Sequence, residues 1–282
     1  MKNTKIEWCD TTWNPVTGCL HGCEYCYARR IAERFGGCDE SSTYGIMAKA
    51  RFRCANPGCD IKDAIFETSE KKPPVNVRFD SKRQKTNVSI APYPFGFQPT
   101  LHKHLLDKPA QWKKPKKIFV CSMADLFGDW VPDEWIESVF DTCRQNPQHT
   151  YLFLTKNPDR YCQMASKGKL PKKSDMPYLW FGTTITNFDD GYFASTFHNT
   201  FLSIEPIQSD FPYSKNPLSV DWVIAGAETG NKKDKYVPSK ECVLNIVSSC
   251  YMHAAPLFMK DSLIPIVGEE HMRRQIPRGL QN

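Results

Sequence analysis

Short apolar runs, rich in β-branched and aromatic residues, recur along the second half of the chain between segments of helical character. They read KIFVCS (117–122), YLFLTK (151–156), LWFGTT (179–184), TFLSIE (200–205), DWVIAGAE (221–228) and APLFMK (255–260). Strong hydrophobicity without clear alternation predicts parallel strands buried on both faces. TTWNPVT (11–17) and NVSIAPY (87–93) are two earlier candidates and bring the count to eight. Helices are expected between them. EYCYARRIAERF (24–35) follows the first strand. VPDEWIESVFDTCRQ (131–145) opens on Pro132 and two acids, as a helix N-terminus prefers. NPDRYCQMA (157–165) is a shorter helix, and PSKECVLNIVSSCYMH (238–253) has Ser239 as its cap.

Alternation of strand and helix predicts a parallel α/β fold. Eight strands favour a (β/α)8 or partial TIM-like barrel, with an open α/β sheet as the alternative. The 282 residues are read as one domain without internal repeats. Residues 37–87 contain no long apolar segment and read as an insertion after the first helix.

In a barrel, chemistry gathers at the C-terminal ends of the strands. Polar residues recur there: Ser122 and Asp125, Thr155 and Lys156, Thr183 and Thr184, Ser203 and Glu205, Glu228, and Lys260 followed by Asp261. Glu205 and Glu228 suit an amine or ribose hydroxyls. Lys156 and Lys260 suit a carboxylate or phosphate. Asp125, Lys156, Thr184 and Lys260 are the expected substrate-binding residues. No GxxxxGK[ST] phosphate loop, HExxH motif or dinucleotide fingerprint is present.

Charge changes this picture little. A net charge of +6 permits a nucleotide or nucleic-acid partner without demanding one. No run of eighteen apolar residues exists, so no membrane span is expected. The start MKNTKIEWCD carries no export signal, which makes the cytoplasm the expected compartment. Twelve cysteines in such a chain point to metal binding rather than disulfides.

Three of those cysteines, Cys19, Cys23 and Cys26, fall within eight residues in CLHGCEYC. A structural zinc ion wants four ligands, and Cys38 or Cys9 could complete the set. An iron–sulfur cube also takes thiolates, and three of them would leave one iron open. His21, inside the loop, reads as a solvent-facing histidine, with a place behind the metal ligands as the alternative. Cys38, Cys54 and Cys59 lie in the insertion, the last two around a Pro-Gly turn, and could form a second zinc or iron–sulfur site. Cys121, Cys143, Cys162, Cys242 and Cys250 stand in apolar contexts and read as small buried hydrophobes. The aromatics of YPFGF (93–97) and FGDW (127–130) could stack a base, or simply build core.

The CxxxCxxC spacing, with Tyr25 before the last cysteine, resembles the cluster loop of the radical S-adenosylmethionine enzymes. IEWCDTTWNPVTGC, GCEYCYA, SMADLFGDWVP, FLTKNPDR, FLSIEP and DWVIAGAETG resemble the phage Gp37/Gp68-type proteins, a radical-SAM-like family, over nearly the whole chain. The resemblance implies a single radical-SAM-like barrel and a [4Fe–4S] cluster on Cys19, Cys23 and Cys26. It implies S-adenosylmethionine on the open iron, with Tyr25, Glu205 and Glu228 as cofactor-side candidates. It further implies a 5′-deoxyadenosyl radical that abstracts hydrogen from a substrate, and a reductant such as flavodoxin or ferredoxin. The competing expectation is a noncatalytic, zinc-stabilised nucleic-acid-binding protein. No oligomeric state is assigned.

Overall fold

A computed structural model of the protein describes residues 4–36, 53–54, 64–68, 75–80, 84–212, 219–230 and 234–281. In chain order the first elements are β1 (Thr11–Trp13), β2 (Val16–Thr17), α1 (Tyr27–Phe35), β3 (Arg53–Cys54), β4 (Ala64–Glu67), β5 (Val75–Asp80), β6 (Lys85–Ile90) and β7 (Thr100–Leu101). Next come β8 (Lys117–Val120), α2 (Asp133–Gln145), β9 (Thr150–Thr155), α3 (Pro158–Ser166), β10 (Leu179–Ile185) and β11 (Asn199–Ile204). The chain ends through β12 (Trp222–Ala225), α4 (Lys240–Met252), β13 (Leu257–Met259) and a short α5 (Ile264–Val267).

The apolar runs form a seven-stranded sheet in the order β1-β8-β9-β10-β11-β12-β13. From β8 to β13 every neighbouring pair is parallel. The protein is therefore a mixed α/β structure built on a parallel sheet. The predicted eighth strand is not part of it. Lys85–Ile90 pairs antiparallel with Val75–Asp80 as a hairpin. The physical reason lies in its pattern: KTNVSI leaves Lys85, Asn87, Ser89 and Ile90 exposed, which suits a half-wet antiparallel pair and not a strand buried on both faces. Seven strands in this order leave β1 and β13 as the ends, so the eight-stranded closure does not form among the described residues. The predicted first strand is also divided, because Pro15 interrupts 11–17 and Val16–Thr17 pairs elsewhere.

The chain forms two compact units, each assembled from separated stretches. One comprises Met1–Thr11, Lys114–Phe119 and Pro147–Asn282. Its strands alternate between two cores. Leu202, Ile204, Val223, Ala225, Leu257 and Met259 share a core with Val243, Ile246 and Cys250 of α4. Phe201, Trp222, Ile224 and Phe258 point the other way, onto Trp8. The Trp8 ring lies 4.8 Å from Phe119 and 6.2 Å from Trp222. Period-two alternation thus exists, but both faces are apolar, so hydropathy alone hides it. α4 begins where expected: Ser239 caps it by accepting from the Cys242 backbone N–H at 3.0 Å.

The other unit comprises Thr12–Lys113 and Val120–Asn146. Here β2, β7, β4 and β3 form a small mixed sheet. The indole of Trp135, on α2, donates to Glu67 at the end of β4 at 2.8 Å. His102, just after β7, is buried and its Nε2 meets Thr17 Oγ1 at 2.8 Å. Burial, then the nearby His104, lowers its pKa to about 3, so this ring is neutral and anchors β2 without carrying charge. Among the described residues, no helix is long and apolar enough to cross a membrane.

The insertion is described only in part. Cys38 and Cys59 lie outside the described residues; Cys54 falls in β3, and its side chain is likewise undescribed. Of the cysteines expected to be buried, Cys121, Cys143, Cys242 and Cys250 are, whereas Cys162 is exposed. α3 has too few apolar positions to cover it: only Tyr161 and Met164 are buried there.

Candidate metal-binding loop and polar sheet edge

Gly18 places the cysteine loop. Its φ of +87° is open to glycine, and a Cβ there would lie 2.2 Å from the Gln98 carbonyl oxygen. Two backbones can therefore pass in contact. Gly18 N–H donates to the Met123 carbonyl at 2.9 Å, and Cys19 N–H to the Phe97 carbonyl at 3.3 Å. Asn14, in the Asn-Pro turn before the loop, accepts from Ser122 Oγ at 3.1 Å and Met123 N–H at 3.3 Å.

Cys19, Cys23 and Cys26 are all half-buried, and none is in a disulfide. They are neighbours: Cys23 and Cys26 act electrostatically on Cys19. Burial first, then the negative charge of Asp125, Cys23 and Cys26, pushes the Cys19 thiol up to about 12 against a lowering backbone hydrogen bond from His21. Cys26 is the N-cap of α1, and its sulfur accepts from the Arg29 backbone N–H at 3.3 Å. Cys19 and Cys26 also pack against an apolar patch of Ala28, Ala32, Phe97 and Met123. Among the described residues, no three His, Cys, Asp or Glu side chains are gathered so as to cage a single metal ion.

Side chains other than the three thiols fix the loop. His21 does not face solvent freely: its Nε2 lies 2.7 Å from Asp125 Oδ2, and its ring meets Trp130 edge-on at 4.9 Å. Asp125 is buried and also accepts from the Phe127 backbone N–H at 3.0 Å. Its carboxylate is thus engaged with the loop that it was expected to share with substrate. Arg29 donates to the Cys19 carbonyl at 3.3 Å and lies over the Phe97 ring at 5.0 Å. Tyr27 donates its hydroxyl to the Ser122 carbonyl at 2.7 Å. Tyr25 is half-buried within the loop. The Asn-Pro turn was a visible signal for Asn14. Nothing local marks Asp125 as the partner of His21, because they are 104 residues apart.

In the other unit, parallel register puts the remaining predicted residues on one edge of the sheet. Thr155 aligns with Thr183, Ser203 with Thr184, and Ala225 with Ile204 and Met259. Lys156, Thr184, Glu205, Glu228 and Lys260 follow or end these strands and are all half-buried. Glu205 and Lys260 form an ion pair across them. Gly226 lies beneath the pair: a Cβ there would meet Lys260 Cδ at 3.1 Å and Glu205 Cδ at 3.4 Å. The side chains are 27% and 18% exposed, so water screens the pair only partly. Lys260→Met or Glu205→Gln is expected to cost about 1–3 kcal/mol, because the surviving group keeps its desolvation without its partner. The double variant is expected to recover part of that loss in denaturant titrations. A coupling near zero would mean that the pair contributes nothing.

Elsewhere in this unit, a groove of about 1110 Å³ runs beside the end of α4 and the C-terminal segment, lined by Tyr251, Leu257, Arg273, Ile276 and Arg278 among others. None of the predicted site residues lines it. Comparison with curated proteins and with solved structures finds no match. A family model does match, over residues 3–71 and 54–263, which include both the cysteine loop and the polar sheet edge. The chain belongs to the DUF5131 family, described as proteins of unknown function.

Proposed function

We propose that the protein is a radical S-adenosylmethionine enzyme that holds a [4Fe–4S] cluster on Cys19, Cys23 and Cys26. The observation that carries this reading is the loop itself: three unbridged, half-buried thiols, neighbours in space, of which Cys19 and Cys26 pack against an apolar patch. The donor set fits a cube better than a lone zinc ion. Zinc draws four donors to within about 2.0–2.3 Å of one point. A cube places each thiolate on its own iron, so the sulfurs stand apart, and three suffice to hold it. The second metal site on Cys38, Cys54 and Cys59 stays an expectation from sequence.

When bound, the cluster and S-adenosylmethionine supply one-electron cleavage of a sulfonium and a carbon radical able to abstract hydrogen. The chain's own residues hold and orient. Cys26 presents its sulfur at the helix N-terminus, and the Arg29 guanidinium fixes the Cys19 carbonyl. His21 and Asp125 brace the loop between its first two thiols. Phe97 and Met123 keep one side of it dry. On the polar sheet edge, Glu205 and Glu228 suit amine or ribose hydroxyl groups, and Lys156, Lys260 and Thr184 suit a carboxylate or phosphate. A ligand carboxylate reaching Lys260 must share or displace Glu205. The net charge of +6 is compatible with a nucleotide or nucleic acid as the substrate class.

Anaerobic reconstitution with iron and sulfide tests the reading. The reduced protein is expected to show a cluster EPR signal that changes on adding S-adenosylmethionine, with 5′-deoxyadenosine formed. Stoichiometric zinc without iron would sink it and leave the zinc-stabilised nucleic-acid-binding protein.

A further inference from the structure

The polar edge of the parallel sheet mixes charges of both signs; the opposite, N-terminal end is mostly basic. The segment leading into β10 carries Lys167, Lys169, Lys172 and Lys173, all exposed. Phe197, two residues before β11, is 65% exposed beside them. The Lys172 ammonium lies 5.8 Å from its ring centre, and the Lys173 N–H donates to its carbonyl at 2.9 Å. Burial and then Lys172 and Lys173 lower the pKa of the adjacent His198, against a raising hydrogen bond to the Leu170 carbonyl. The acids at this end are engaged locally. Asp10 accepts from the Lys117 N–H, Asp221 from the Thr200 N–H and Asp175 from the Ser174 hydroxyl.

The groove of about 1110 Å³ opens at this same end, beside the start of β13. β13 stands three strands along from β10, roughly 14 Å at the usual strand spacing. One wall is the end of α4, with Val247, Tyr251 and Met252; the other is the C-terminal segment, with Arg273, Ile276 and Arg278. Tyr251 is 85% exposed. Among the described residues lining the groove there is no aspartate or glutamate. Arg274 is held by Glu7 and Asp261. Arg273 donates to the carbonyls of His271 and Met272, which leave its charge uncompensated, and Arg278 is exposed.

An exposed aromatic ring beside paired cations thus occurs twice along one end of the sheet. A single nucleic-acid strand repeats the matching chemistry at every nucleotide, a flat base with a π-face and a phosphate. An acidic peptide answers the cations but not the exposed rings. A membrane surface is flat, whereas the groove is concave. We propose that the N-terminal end of the sheet, from Phe197, Lys172 and Lys173 to the groove of Tyr251, Arg273 and Arg278, binds a single-stranded nucleic acid. Bases stack on the two rings, and phosphates lie against the lysines and arginines. The seven residues of β10 put roughly 20 Å between this surface and the polar edge. The binding surface is therefore separate from the proposed reaction site and does not rest on the iron–sulfur reading.

The test is fluorescence anisotropy of the full chain with labelled oligo-dT and oligo-U, each about a dozen nucleotides long. Four neutralised phosphates would weaken binding about fiftyfold between roughly 50 and 200 mM salt. Arg273→Glu/Arg278→Glu and Lys172→Glu/Lys173→Glu are each expected to weaken binding at least about tenfold and to flatten that salt dependence. Tyr251→Ala and Phe197→Ala are each expected to weaken it at least about fivefold with the salt dependence unchanged. All six side chains are exposed, so melting temperatures should stay within about 2 °C of the parent. Lys235→Glu/Lys240→Glu, beyond the other end of β12, changes the net charge equally and should bind like the parent. A preference for oligo-U or oligo-dT would say whether the strand is RNA or DNA. A parent that binds neither strand overturns the proposal, as do folded variants that bind like the parent. So does equal weakening by Lys235→Glu/Lys240→Glu, since net charge and not this surface would then do the binding. Polyglutamate or phosphatidylserine vesicles held as tightly as the oligonucleotides would overturn it in favour of an acidic peptide or a membrane. The assay needs no iron, so its outcome is independent of whether the cluster reading stands.

Discussion

Serine in place of Cys19, Cys23 or Cys26 is expected to strip the protein of iron. Reconstituted parent protein should carry about four irons per chain, and each variant less than about one. Serine keeps the size of cysteine but does not present a thiolate, and with only two thiolates left a four-iron cube would have two irons unheld by the chain. The same variants should form 5′-deoxyadenosine at least about a hundredfold more slowly, because the electron has no route without the cluster. Two features of the fold make the result interpretable. Serine is a preferred helix cap, so Cys26→Ser leaves the start of α1 intact and iron loss cannot be blamed on fraying. Cys162 is exposed on α3, so Cys162→Ser should keep full iron and serves as the control. Iron retained in the Cys19, Cys23 or Cys26 variants, or lost equally in Cys162→Ser, would remove the ligand assignment.

Alanine at Gly18 should be far more damaging than alanine at Gly22, although both glycines have positive φ. Gly18 has φ +87° and Gly22 +70°, a region that disfavours a Cβ by about 1–2 kcal/mol. The difference is the surroundings. A Cβ on Gly22 meets nothing within 4 Å, whereas one on Gly18 meets Gln98 backbone atoms at 2.2 and 2.3 Å. A backbone carbonyl cannot rotate away as a side chain can. Moving it would disturb the Phe97 carbonyl that receives the Cys19 N–H. Gly18→Ala is therefore expected to lose about 3 kcal/mol or more, lowering Tm by roughly 6–12 °C. Gly22→Ala should lose about 1 kcal/mol, or roughly 2–4 °C. Iron uptake should fall in the first and stay near parent level in the second. Equal melting shifts for the two would show that close backbone contact does not fix the loop.

The strands of the parallel sheet were legible because they are continuous apolar runs of strand length, such as YLFLTK and DWVIAGAE. The helices were legible from their ends: Ser239 caps α4, and Asp133 and Glu134 stand in the first turn of α2. NVSIAPY misled because composition alone does not say whether a strand will be wet on one face. It became one arm of a hairpin, and the sheet kept seven strands. Within the loop, the three thiols were visible as a spacing. The brace between His21 and Asp125 was not, since it joins two segments that meet only after β8 is laid beside β1.

Sequence by itself determined the parallel strand pattern, the cysteine spacing and the polar residues at the strand ends. These are local properties, set by hydropathy, side-chain chemistry and order along one stretch of chain. Tertiary structure alone decided the rest. It chose which face of each doubly buried strand meets Trp8 and which meets α4. It paired Glu205 with Lys260 through the register of β11, β12 and β13, and set His21 on Asp125. It also left Tyr27, Ile31 and Phe35 in water while Ala28 and Ala32 were buried. Hydropathy would bury the larger side chains of α1, but only the small ones fit closely against the Phe97–Met123 patch.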